Sequence, residues 1–248
     1  MKHKGMTKDL NNDTNKDIND NSALSISGRL KLYMRKQKER PQTVREEVFN
    51  SITHGIGTVA AAAGTIILVA LSISMGRPAS ITAGVAIYGA AMILLYLAST
   101  LYHCLSFTKA REIFKIFDHC AIFILIAGTY TPIAFQIGGT WGWSMFGIVW
   151  GLTVLGIVLE SVFKSGVKKI SMFIYLAMGW LVVIAWNPFL DHVNYGMVFW
   201  LMAGGIAYTG GVLFYILPGH HFFHVLWHFA VLAGSVFHYF GILFYIVL

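Results

Sequence analysis

Apolar residues fill long runs along this chain, broken at short intervals by polar or turn-forming clusters. Crossing about 30 Å of hydrocarbon takes about 20 helical residues, and seven stretches reach that length: 48–75, 79–105, 113–136, 141–163, 168–187, 193–216 and 222–247. The separators are turn formers: Gly76-Arg77-Pro78, the Lys109 to Glu112 loop, Gly138-Gly139, Lys164-Ser165-Gly166, Asn187-Pro188 and Pro218-Gly219. The pattern predicts an all-α integral membrane protein built as a seven-transmembrane-helix bundle. Thr43-Val44-Arg45-Glu46 fits a capping box, in which hydroxyl and carboxylate satisfy the first amides of a helix, so the first helix is expected to begin there. Glycines such as Gly147 and Gly151 are expected to let helices approach closely.

Charge sharpens the picture. Of 18 Lys and Arg and 11 Asp and Glu, 18 charged residues fall in 1–47, leaving 11 for the other 201 positions. That density is far below the roughly 25% usual in a soluble domain, which excludes a water-soluble globule. The net charge of +7 is carried by the tail and two loops rather than spread over a folded surface, so it reads as membrane topology and not as a nucleic-acid footprint. Eleven Lys or Arg precede the first span, Lys109, Arg111 and Lys115 lie between spans two and three, and Lys164, Lys168 and Lys169 between spans four and five. By the excess of cations in cytoplasmic loops, the amino terminus is expected in the cytoplasm and the carboxyl terminus outside a plasma membrane.

Two regions follow. Residues 1–43 form a basic cytoplasmic tail, expected to be disordered because 1–27 are almost free of large apolar side chains and cannot bury enough surface; no apolar stretch there suits a cleavable signal. Its segment 28–40, with Arg29, Lys31, Arg35, Lys36, Lys38 and Arg40, is attracted to anionic lipid headgroups or is simply a solvated topogenic cluster. Residues 44–248 form the membrane domain. Cys104 and Cys120, both in apolar runs, read as buried free thiols. Membrane lipids are the expected partners; no protein partner is indicated.

Ionisable groups inside spans are costly and ask for partners. The topology places Ser99 and His103 near the cytoplasmic end of span two, Asp118 and His119 at the start of span three, and His224 and His228 at the start of span seven, all at one depth in the inner leaflet. Ser99 and His103 are four residues apart, as are His224 and His228, so each pair shares a helix face. Three imidazoles with an open fourth position make a catalytic zinc site, and His103, His224 and His228 are the expected Zn2+ ligands. Asp118 would hydrogen-bond a water at the open position or act as a fourth ligand; Ser99 would orient it or donate to a substrate carbonyl. Span one carries Glu47, Asn50, Ser51 and His54 on one face, either supporting the site or holding the helix in place. His238 is expected to make an interhelical hydrogen bond, His220 and His221 to be solvated, and Glu160 to pair with Lys164.

The segments Glu46-Glu47-Val48-Phe49-Asn50-Ser51-Ile52-Thr53-His54-Gly55, Ser99-Thr100-Leu101-Tyr102-His103, Asp118-His119, Ala127-Gly128-Thr129-Tyr130-Thr131-Pro132 and His224-Val225-Leu226-Trp227-His228 resemble the bacterial hemolysin III family, the prokaryotic branch of the progestin and adiponectin receptor group. That group is more distantly similar to alkaline ceramidases. The resemblance covers 44–248 and implies zinc near the cytoplasmic face, held by His103, His224 and His228 with Asp118 and Ser99 beside it. It also implies hydrolysis of ceramide-like amides in the receptor and ceramidase relatives, and red-cell lysis or membrane lipid homeostasis in bacterial ones.

Two functions stand open. One is a zinc-dependent intramembrane hydrolase of a lipid amide or ester, with Asp118 as acid and base and Ser99 at the oxyanion. The other is non-enzymatic: zinc as a structural clamp in a sensor, a homeostasis factor or a pore-forming hemolysin.

Overall fold

The computed structural model describes residues 42–163, 168–184, 186–217 and 220–248. Residues 42–215 and 222–248 form one compact unit, the helical bundle. The tail expected over 1–43 falls almost wholly outside the described residues.

The described elements are helical. They are α1 (Val44–Ser74), α2 (Ala79–Cys104), α3 (Arg111–Ile137), α4 (Gly139–Phe163), α5 (Lys168–Gly179), a 3-10 turn (Leu181–Val183), α6 (Trp186–Leu190), α7 (Tyr195–Ile216) and α8 (Phe223–Ile242), which runs into a π-turn (Leu243–Val247). Six helices are long and apolar enough to cross a membrane: α1, α2, α3, α4, α7, and α8 with its π-turn.

The expected fifth span is not one continuous helix. Residues 168–179 form twelve residues of α-helix, after which the chain breaks at Gly179-Trp180 into the 3-10 turn and the five-residue α6. A break exposes backbone groups that hydrocarbon cannot solvate, so the protein must satisfy them itself. Tyr130 of α3 does this: its hydroxyl donates to the Gly179 carbonyl at 3.0 Å and accepts from the Val182 amide at 3.0 Å. Trp180 is held by a hydrogen bond from its indole Nε1 to Thr209 Oγ1 of α7 at 3.1 Å. Apolar composition reads 168–187 as one continuous span, but it does not report a tyrosine some fifty residues away that satisfies the backbone at a break.

Burial runs opposite to that of a soluble helix. On α1 the inward stripe is Asn50, Thr53, His54, Gly57, Ala61, Gly64 and Leu68, while Ile56, Val59 and Ile66 face outward at 66%, 72% and 70% exposure. Small and polar residues mediate helix contacts and large apolar ones face the surroundings, as expected where lipid supplies no hydrophobic drive between helices. The most extensive packing is of α2 against α1 and α3, followed by α3 against α4, and α8 returns to lie on α1. The capping box forms as expected: Glu46 N donates to Thr43 Oγ1 at 3.3 Å, and Thr43 N donates to Glu46 Oε2 at 2.7 Å.

The glycine expectation for α4 is corrected. A Cβ at Gly147 or Gly151 would meet nothing within 4 Å, whereas one at Gly142 would collide with the Ala134 carbonyl oxygen. The buried stripe of α4 is Gly142, Met145, Val149, Thr153, Gly156 and Glu160, and positions 147 and 151 lie off that stripe. The turn into α4 needs Gly138, whose φ of 63° and ψ of −162° is closed to side-chain-bearing residues. Cys104 is also corrected: it is exposed, and only Cys120 is buried.

Candidate metal centre

Ser99 and His103 point inward from the last turns of α2, each 1% exposed. His224 and His228 do the same from the first turns of α8. The structure brings the three histidines together: ring centroids are 5.1 Å apart for His103 and His224, 4.9 Å for His103 and His228, and 4.8 Å for His224 and His228. One nitrogen from each lies within 4.8 Å of the others.

The tautomers suit ligation. His103 Nδ1 lies 2.6 Å from Glu47 Oε2; an ionised carboxylate only accepts, so Nδ1 holds the proton and Nε2 the lone pair. That Nε2 is buried and has no hydrogen-bond partner. Leaving such an acceptor unsatisfied costs about 1–3 kcal/mol, and a metal ion would satisfy it. His228 Nδ1 makes a long contact of 3.4 Å with Thr53 Oγ1. That hydroxyl is already donating to the Phe49 and Asn50 carbonyls at 2.9 Å each, so here it accepts. His54 stacks on His228 with centroids 3.7 Å apart and planes at 10°, which fixes the plane of the His228 ring. The residues therefore form a buried histidine triad that could bind a metal ion.

Two adjacent buried glutamates set the frame. Glu47 Oε1 accepts from Arg111 at 2.8 Å, so one carboxylate ties α1 both to His103 on α2 and to the start of α3. Arg111 also lies over the Tyr102 ring, 5.3 Å from its centroid. Glu46, besides closing the capping box, accepts from the Phe222 amide at 2.8 Å, just before α8. This anchors the helix that carries His224 and His228 to α1. Sequence reading placed Glu47 beside the site but missed Arg111 and the second role of Glu46, because both are long-range pairings with no spacing signature.

Two of the three histidines, His224 and His228, line a cavity of about 340 Å³ whose walls also include Ser99, Asp118, His119, Tyr175 and Trp180. Asp118, half-buried on α3, lines the same cavity as Ser99 and lies outside the cluster of converging nitrogens. His119 Nδ1 meets Glu160 of α4 at 3.3 Å, and Tyr175 donates to the His119 carbonyl at 2.9 Å. Glu160 thus has a buried interhelical partner; Lys164, with which it was expected to pair, lies outside the described residues. Asn50 is fully buried and donates to Gln42 at 2.8 Å rather than to a histidine. Ser51 reaches the Thr100 carbonyl at 3.5 Å. His238 makes the expected interhelical hydrogen bond, to the Leu201 carbonyl on α7 at 3.2 Å, and His220 and His221 are exposed.

The haemolysin-III-related family matches residues 42–239. Hemolysin-3 of Bacillus cereus is 38% identical over 213 residues, covering 86% of this chain and 97% of the relative. The Hemolysin-3 homolog of Bacillus subtilis (strain 168) is 40% identical over 206 residues, covering 83% and 96%. The human monocyte to macrophage differentiation factor is 29% identical over 213 residues, covering 81% and 84%, a reach consistent with the wider progestin and adiponectin receptor group. With its apolar helices and buried histidine triad, this chain belongs to the haemolysin-III-related family of helical membrane proteins.

Proposed function

We propose that the protein is a zinc-dependent hydrolase of a lipid amide or ester, working inside the plasma membrane in lipid homeostasis. The observation that carries this reading is the convergence of three imidazoles beside a cavity lined by two of them, His224 and His228, together with Asp118 and Ser99. In this reading the broken segment 168–190 is the fifth of seven crossings. The amino terminus is cytoplasmic, the carboxyl terminus is outside, and the triad lies in the inner leaflet.

His103, His224 and His228 would hold the zinc, and the donor set suits that ion: three neutral imidazoles with one position left open. When bound, zinc supplies Lewis acidity and lowers the pKa of water at neutral pH. The chain's own residues do the rest. Glu47 keeps the His103 proton on Nδ1. Asp118 takes the proton of the attacking water and returns it to the leaving nitrogen or oxygen, so that water and the amide or ester become an acid and an amine or alcohol. Ser99 donates to the oxyanion as the carbonyl becomes tetrahedral. The apolar wall excludes bulk water and accepts the acyl chain.

A second reading, in which the metal only clamps α2 to α8 in a sensor, homeostasis factor or cytolysin, draws on the triad's joining of these two helices and on the name of the Bacillus relatives. One series separates the two. Zinc content and turnover of long-chain amides and esters are measured on purified protein, on Asp118→Ala and on His228→Ala. The hydrolase reading expects Asp118→Ala to keep zinc and lose about 10²- to 10⁴-fold in rate, and His228→Ala to lose both. Full zinc occupancy with no turnover of any lipid class would refute it.

A further inference from the structure

A second, apolar chamber of about 50 Å³ is bounded by residues such as Phe189 and Val198. The non-glycine side chains common to the linings of both cavities are Thr129, Tyr130, Trp180 and His238. Three of these four spend their polar groups within the protein. Thr129 donates to the Leu125 carbonyl at 2.8 Å, Tyr130 bridges the broken strand of backbone after α5, and Trp180 donates to Thr209.

His238 differs. Its Nε2 lies 3.2 Å from the Leu201 carbonyl, and a carbonyl can only accept, so the ring proton is on Nε2. Nδ1 of the neutral ring is therefore an acceptor. That atom is buried and has no hydrogen-bond partner. On α8, His238 is ten residues beyond His228, a distance of about 15 Å at 1.5 Å per residue.

We propose that His238 Nδ1 accepts a hydrogen bond from a hydroxyl carried part-way along an acyl chain, which makes His238 the residue that selects hydroxylated chains. This rests on the reading of the cavity as an acyl-chain site. A plain chain lying beside His238 in the cavity leaves the imidazole acceptor unpaired, whereas a chain with a hydroxyl at that height satisfies it. Sites built to hydrogen-bond a ligand hydroxyl discriminate against the analogue that lacks it because their own polar group is then stranded. The distance from the triad sets the position: the hydroxyl belongs well down the chain, far from the scissile carbonyl.

The test is displacement of a fluorescent fatty acid from the purified full-length protein by ricinoleic acid and by oleic acid, which differ by one mid-chain hydroxyl. Ricinoleic acid is expected to bind about three- to tenfold more tightly, the worth of one net hydrogen bond. His238→Leu should abolish the preference while leaving oleic acid affinity in place, which also shows that the variant is folded. His238→Gln, which restores an acceptor oxygen, should keep it. Equal binding of the two acids, or a preference that survives in His238→Leu, would overturn the assignment to His238 and leave the acyl-chain reading standing. Failure of both acids to displace the probe would overturn both.

Discussion

Replacing Glu47 with glutamine tests the metal centre without touching a candidate ligand. One carboxylate oxygen accepts from His103 Nδ1 at 2.6 Å and the other from Arg111 at 2.8 Å. A glutamine has one acceptor to share between these two donors. The guanidinium is always charged and has the stronger claim on the amide oxygen, which turns the amide NH2 towards His103. A donor facing Nδ1 favours the tautomer with the proton on Nε2, the atom that would bind metal. Carboxylates that orient a ligating histidine are worth 10- to 100-fold in metal affinity, or about 1.4–2.8 kcal/mol. The expected outcome is zinc affinity weakened by that factor in Glu47→Gln, measured by competition with a chromogenic chelator on detergent-solubilised protein. Arg111→Gln leaves the contact between Glu47 and His103 intact, and because Arg111 is 32% exposed its loss should matter far less. Equal zinc affinity in wild type and Glu47→Gln would refute the view that Glu47 sets the His103 tautomer.

Two further perturbations probe the frame around the site. Glu46→Ala removes the acceptor shared by the Thr43 and Phe222 amides; both residues are exposed, so the loss is that of the net hydrogen bonds, about 0.5–1.5 kcal/mol each, and should lower the thermal midpoint. An unchanged midpoint would show that α8 is anchored elsewhere. Gly142→Ala drives a methyl into the Ala134 carbonyl and should cost about 1–3 kcal/mol as an overpacked contact, whereas Gly147→Ala meets open space and should be neutral. A thermal-shift assay that ranks these two in the reverse order would contradict the packing of α4 on α3.

What the sequence determined on its own is what short-range physics encodes. The length and polarity of the apolar runs mark seven stretches, because crossing hydrocarbon imposes a minimum length on each, and six of them are long helices among the described residues. The capping box at Thr43 and the glycine turn at 138 and 139 are local in the same sense. The pairs Ser99 with His103 and His224 with His228 were visible because a helix brings residues four apart onto one face, and the inward face of α1 was visible because polar groups in an apolar run must turn away from lipid. Only tertiary structure decided the rest. Glu47 joins His103 to Arg111, Glu46 reaches the start of α8, Glu160 meets His119, and Tyr130 makes the break after α5 tolerable; each joins helices with no fixed spacing between them. Residue type says that a buried carboxylate or a freed carbonyl must find a partner. Which partner it finds depends on how the helices pack, and that is set by the whole bundle at once.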